Sequence, residues 1–110
     1  MRKATVGSQG KVAGKATRPY VIVRGDKFGA FAGTLESRQG DEVELSTARR
    51  LWYWDGAASL SQLAMEGVKA PQNCKFPCPV ASIVLLGVIE LIPCTDLARG
   101  IIESVPVWQR

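Results

Sequence analysis

The sequence predicts an α+β domain, mainly an antiparallel sheet, either open or curled into a small barrel, with two short helices. Three observations predict it. Short β-branched or alternating runs recur between Gly/Asp turn signals. Two serine or threonine caps open short amphipathic segments. Nothing between them sustains a helical period for long. The 110 residues suit one domain and can bury a core without staples.

The elements follow in chain order. "PYVIVR", Pro19 to Arg24, is a β-branched run opened by proline, which a strand tolerates at its first residue. Gly25-Asp26 turns the chain. "FGAFAGTLES", Phe28 to Ser37, sets Phe31, Gly33 and Leu35 against Ala30, Ala32 and Thr34. Its small residues predict a strand that bends or admits a close neighbour. After a turn at Gln39-Gly40-Asp41, "EVELST" puts Val43 and Leu45 inward and Glu42 and Glu44 outward. "ARRLWYW", from Ala48, is expected to be a further strand of this meander.

Ser59, with Gln62 three residues on, is a capping box for a helix over about 59–66, which Gly67 ends. Leu60, Leu63 and Ala64 form its apolar stripe. Pro71, Pro77 and Pro79 mark a loop. Val80 to Leu86 and Val88 to Cys94 read as two strands or as one bulged at Gly87. Thr95 caps a second helix, about 95–103, with Asp96 at its positive end. "VPVW" closes the chain as an extended segment.

Charge is unevenly placed. Residues 1–18 hold Arg2, Lys3, Lys11, Lys15 and Arg18 and no acid, and read as a flexible basic arm. From Pro19 onward 9 basic residues face 10 acidic ones, so the net +4 resides in the arm. The single β-rich domain is residues 19–110. The absence of histidine removes the usual general base and commonest metal ligand. Ser–His and Cys–His catalysis within one chain are thereby excluded. No run approaches the ~20 apolar residues of a membrane helix, since Ser82, Gly87 and Glu90 interrupt the longest. No secretory signal is evident, so a cytoplasmic protein is expected.

The candidate site is "ARRLWYWDG". Strand alternation places Arg50, Trp52 and Trp54 on one side and Arg49, Leu51 and Tyr53 on the other. Indoles beside a guanidinium suit base stacking with phosphate held by arginine. Burying a tryptophan is worth up to about 4–6 kcal/mol, against about 1–3 kcal/mol for stacking a base. Core or subunit interface is therefore the first expectation for these rings, and a ligand platform the second. The ligand-binding candidates are Arg49, Arg50, Trp52, Trp54 and Asp55, the last also a natural turn residue. No catalytic residue, metal or cofactor is expected. "CKFPC" has three residues between Cys74 and Cys78, unlike a CxxC pair, and free thiols are the expected state of these and Cys94. Glu90 interrupts an apolar strand, at an edge or facing Arg49 or Arg50.

"YVIVR", "FAGTLESR", "ARRLWYWDGAASLSQLAMEGV", "CKFP" and "VIELIPCT" make the chain resemble, from Pro19 to Trp108, an uncharacterised family of small bacteriophage and prophage proteins. The resemblance implies a phage accessory protein in the host cytoplasm and carries over no site residues. The expectation is a non-enzymatic binding protein, a homo-oligomer that sequesters an anionic nucleotide signal or counters host defence. A host protein or nucleic acid is a further partner class, and a membrane is not expected. The alternatives are a nucleic-acid binder using the basic arm and a small cysteine-dependent enzyme.

Overall fold

The computed structural model describes residues 18–109. The basic arm, apart from Arg18, lies outside these residues. Arg18 itself pairs with Glu36 at 3.1 Å.

Five strands and two helices form an α+β fold: β1 Tyr20–Gly25, β2 Gly29–Gln39, β3 Glu42–Arg50, α1 Leu60–Glu66, β4 Val80–Leu86, β5 Val88–Pro93 and α2 Asp96–Ser104. The sheet is antiparallel throughout, in the order β4-β3-β2-β1-β5. Its two edge strands are consecutive in sequence, separated only by Gly87. In a flat sheet they would lie about 19 Å apart, four strand spacings. Two Cα steps span at most about 7.6 Å. The sheet therefore curls until its edges meet at one corner, where Val88 N–H donates to Asp41 O at 2.9 Å. It does not close into a barrel, because β4 and β5 form no ladder with each other. Gly87 turns this corner at φ 82°, a conformation that costs glycine little.

The curl explains the apolar patterning. Val21, Val23, Phe31, Val43, Leu45, Ala48 and Leu85 fill its interior. Tyr20, Ile22, Ala30, Ala32 and Leu51 form the other face, covered by Leu63 and Ala64 of α1, Ile102 of α2, and Val68, Cys74, Phe76 and Val105 of the connecting segments. β1 is buried on both faces from Tyr20 to Val23, which is why "YVIV" is continuously apolar rather than alternating.

At Gly33 the ladder between β2 and β3 shifts register. A Cβ there would lie 3.1 Å from both Ala48 Cα and Ser46 O, so the small residue admits a close strand. Opposite it, Thr47 adopts φ 46°, the one non-glycine residue with positive φ among those described.

Both helix signals are realised. Ser59 Oγ accepts from Gln62 N and Thr95 Oγ1 accepts from Ala98 N. Thr95 also donates its hydroxyl to Met65 O at 2.7 Å, tying the start of α2 to the end of α1. One expectation requires correction: "ARRLWYW" is not a separate strand. β3 runs through Ala48, Arg49 and Arg50, then ends, and only Tyr53 forms an isolated bridge, with Lys75. Leu51, its N–H still donating to Ala30 O at 2.9 Å, packs into the core beneath the helices. No helix among the described residues is long and apolar enough to cross a membrane.

Candidate functional site

Two neighbouring regions carry the chemistry, and the end of β3 feeds both. Arg49 is 5% exposed. Its Nη1 donates to Ile102 O at 3.1 Å and Val105 O at 2.7 Å, and its Nη2 to Phe76 O at 2.9 Å. The guanidinium also lies 5.5 Å from the centre of the Phe76 ring. It thus clamps the C-terminal end of α2 to the segment before β4, a cation set against helix carbonyls. Burial lowers its pKa from the usual arginine value, while negative charge on Tyr20 or Cys78 would oppose that shift. The residue remains a cation. Nε finds no acceptor among the described residues.

A cavity of about 230 Å³ adjoins this clamp, lined by Tyr20, Thr47, Arg49, Pro79, Glu103, Val105 and Val107. Burial, reinforced by the negative charge of Glu103, raises the Tyr20 pKa well above the usual phenol value. Tyr20 is therefore a neutral hydroxyl across the ordinary pH range. Glu103 is held by Arg99 at 3.2 Å, and the Arg99 guanidinium rests over the Tyr20 ring at 5.1 Å.

The other region is an exposed aromatic surface. Trp52 is 64% exposed and Tyr53 49%. Tyr53 and Lys75 exchange backbone hydrogen bonds, Tyr53 N to Lys75 O at 3.3 Å and Lys75 N to Tyr53 O at 2.8 Å. The chain end joins on the other side, where Trp108 N donates to Phe76 O at 3.0 Å. These two links bring the Lys75 ammonium to 5.8 Å from the Tyr53 ring centre and 5.6 Å from that of Trp108. A solvent-exposed lysine flanked by two aromatic rings is held in place more firmly than a free one.

The five residues singled out by sequence are thus dispersed. Arg49 is buried and engaged with carbonyls. Arg50 is exposed, lies over the Phe31 ring at 4.3 Å, and donates to Phe28 O at 2.9 Å. Trp52 is exposed. Trp54 does not share its surroundings, because the strand ends before it and its ring packs partly buried against the helix-side core. Asp55 accepts from Asn73 Nδ2 at 3.0 Å and its N–H donates to Cys74 Sγ, the work of a turn. Glu90 sits on edge strand β5 but faces Arg24 at 2.9 Å, not Arg49 or Arg50. All three cysteines are free: Cys74 buried, Cys94 half-buried, Cys78 exposed. Burial pushes the Cys94 thiol up to about 11.

Tyr53, Lys75 and Trp108 as a group, and Tyr20, Thr47, Glu103 and Val107 around the cavity, were not legible as sites. Their members are separated by tens of residues, and no local spacing links them.

The family described as Domain of unknown function (DUF6948) matches residues 18–102. The chain belongs to that family. The match contains all five strands, Tyr53, Lys75 and Arg49, whereas Glu103, Val105, Val107 and Trp108 follow it. Neither the curated proteins nor the solved structures give a match.

Proposed function

We propose that this family member is a non-enzymatic binding protein that holds a nucleotide-type anion on its aromatic surface. The observation that carries this reading is the Lys75 ammonium lying between the Tyr53 and Trp108 rings on the exterior. Trp52 and Arg50 are also exposed, an indole and a second cation offered at the surface near the end of β3. Leaving such rings in water forgoes several kcal/mol of burial, which favours a contact role for them. Arg49, already committed to three carbonyls, has no part in holding phosphate.

Self-association belongs to the same reading. β4, "VASIVLL", carries no charge and has one unpaired edge, with Val80, Val84 and Leu86 exposed along it and Ile89 beyond the corner. A phage accessory role, with nucleotide capture blunting host defence, rests on the sequence resemblance alone.

Tryptophan fluorescence titration with mononucleotides, cyclic dinucleotides and short single-stranded oligonucleotides tests the proposal. Saturable quenching that Trp52→Ala and Lys75→Ala each weaken about tenfold, without change in thermal midpoint, is the expected result. Quenching confined to oligonucleotides would shift the reading to nucleic acid. No response to any member of the panel would refute it.

A further inference from the structure

The sheet ends in two edges of opposite character. β5 is guarded: it carries Glu90, its ladder with β1 shifts register between Arg24 and Gly25, and it closes on Pro93. Charge, bulges and proline are what keep a sheet edge from pairing with another chain. β4, "VASIVLL", has none of them. Its ladder with β3 runs from Glu42–Leu86 to Ala48–Val80 without a shift, and no strand among the described residues pairs with its other side. Five of its seven residues are exposed although six are apolar. Ile83 and Leu85 turn into the curl, so Val80, Ser82, Val84 and Leu86 lie on the outer face, where Ser82 reaches Glu44 at 3.3 Å.

We propose that β4 pairs antiparallel with β4 of a second copy, about a two-fold axis at Ile83. The proposal rests on the self-association included in the function proposed above and names its contact, register and stoichiometry.

The strand is complementary to itself in this register. On the outer face Val80 meets Leu86 of the second copy and Ser82 meets its Val84; toward the curl Ala81 meets its Leu85. No charge faces another across the seam. One strand further out, the β3–β4 register brings Glu44 into line with Ser46 of the second copy and Glu42 with its Ala48, so the acids of the two copies do not oppose each other. The two-fold uses each unguarded edge once. Two five-stranded sheets become one of ten strands that ends in two β5 edges, and assembly closes at two. A seam of seven residues is about 23 Å long. It lies at the small end of specific interfaces, below about 1,200 Å², so the dimer is expected to dissociate with a Kd on the order of 10 µM.

Sedimentation velocity of the full chain from about 1 to 500 µM tests the proposal, with monomer giving way to dimer and no larger species expected. A sample mixing isotope-labelled and unlabelled chains is expected to show NOEs between Ser82 of one copy and Val84 of the other. Ser82→Lys combined with Val84→Lys sets lysine opposite lysine at two places in the dimer. Both positions are exposed in the single chain and lie on the face of Glu44, so an unchanged thermal midpoint and at least about tenfold weaker dimerisation are expected. A monomer at every concentration, a series of growing oligomers, or a dimer that the double variant leaves intact would overturn the proposal. So would β4 amides protected from exchange in a monomer, which would give the edge to a strand of the same chain. Nucleotide titration by fluorescence, run where the chain is monomeric, reads the aromatic surface separately. Dimerisation lost with nucleotide binding kept overturns this contact alone, and the reverse overturns the anion reading alone.

Discussion

Replacing Arg49 by methionine isolates what its clamp contributes. Methionine fills a similar volume, so the cavity term is small. The loss is three charge-assisted hydrogen bonds, to Ile102 O, Val105 O and Phe76 O. At about 1.5–3 kcal/mol each, the gross loss is roughly 4–9 kcal/mol. Contact with the Phe76 ring adds about 1 kcal/mol. Against this, methionine relieves the desolvation of a buried guanidinium, worth several kcal/mol. The expected net destabilisation is about 3 kcal/mol. That is a large share of the ~5–15 kcal/mol typical of a domain. With a urea m-value of about 2 kcal/mol/M, the midpoint falls by roughly 1.5 M at unchanged slope. Arg49→Lys retains the charge but not the planar fork, and one ammonium cannot reach carbonyls on both α2 and the Phe76 segment equally well. It is expected to recover less than half of the loss. A methionine variant within about 0.5 kcal/mol of the parent, or a lysine variant indistinguishable from it, would refute the clamp.

Two further outcomes are expected. Cys94 has a folded pKa of about 11 against an ordinary 9.0, so the folded protein retains a proton that the unfolded chain releases. Its contribution is fully present below pH 9 and is lost as pH rises toward 11. Discounted for partial exposure, the loss is about 1–2 kcal/mol, and Cys94→Ala should make the fall between pH 9 and pH 10 shallower, while the raised pKa of Tyr20 still steepens the limb above pH 10. Gly33→Val drives a branched side chain against Ala48 and Ser46 and should cost about 2–3 kcal/mol by urea denaturation, with an unchanged m-value.

The fold was legible where a local rule decided it. Ser59 and Thr95 each named a helix start because capping needs only the next three residues. The small residues of Phe28 to Ser37 pointed to a bend or a close neighbour, and Gly33 is where a missing Cβ admits one. The alternation of Val43 and Leu45 against Glu42 and Glu44 named a half-buried strand. What local rules could not decide was where β4 and β5 would pair. A run bulged at Gly87 is compatible with a hairpin, a long strand, or a corner joining two sheet edges. The third occurs because β3 and β1 each offer a backbone edge not paired with β2, which β4 and β5 respectively fill. The aromatic stretch was misread for a related reason. Strand alternation was extended past Arg50, where the ladder stops, so Trp54 was placed with Trp52 although it turns back against the core.

The fate of the two adjacent arginines shows why charge type alone does not locate a binding surface. Arg49 and Arg50 follow each other on β3, so the pleat sends them to opposite faces. One face lies beneath α2, whose C-terminal carbonyls need donors, and the guanidinium that arrives there is consumed by the fold. The other face lines the interior of the curl, and Arg50, itself exposed, spreads over the Phe31 ring there. Lys75 reaches the exterior by a different route, carried there by the bridge from Lys75 to Tyr53. A cation can serve a ligand only after the backbone acceptors around it have been satisfied by other donors. Under the proposed function Arg50 and Lys75, both exposed, are the cations left to contact an anion at the surface. Arg49 is not one of them, because its Nη1 and Nη2 are taken by three carbonyls and its Nε is shielded from solvent.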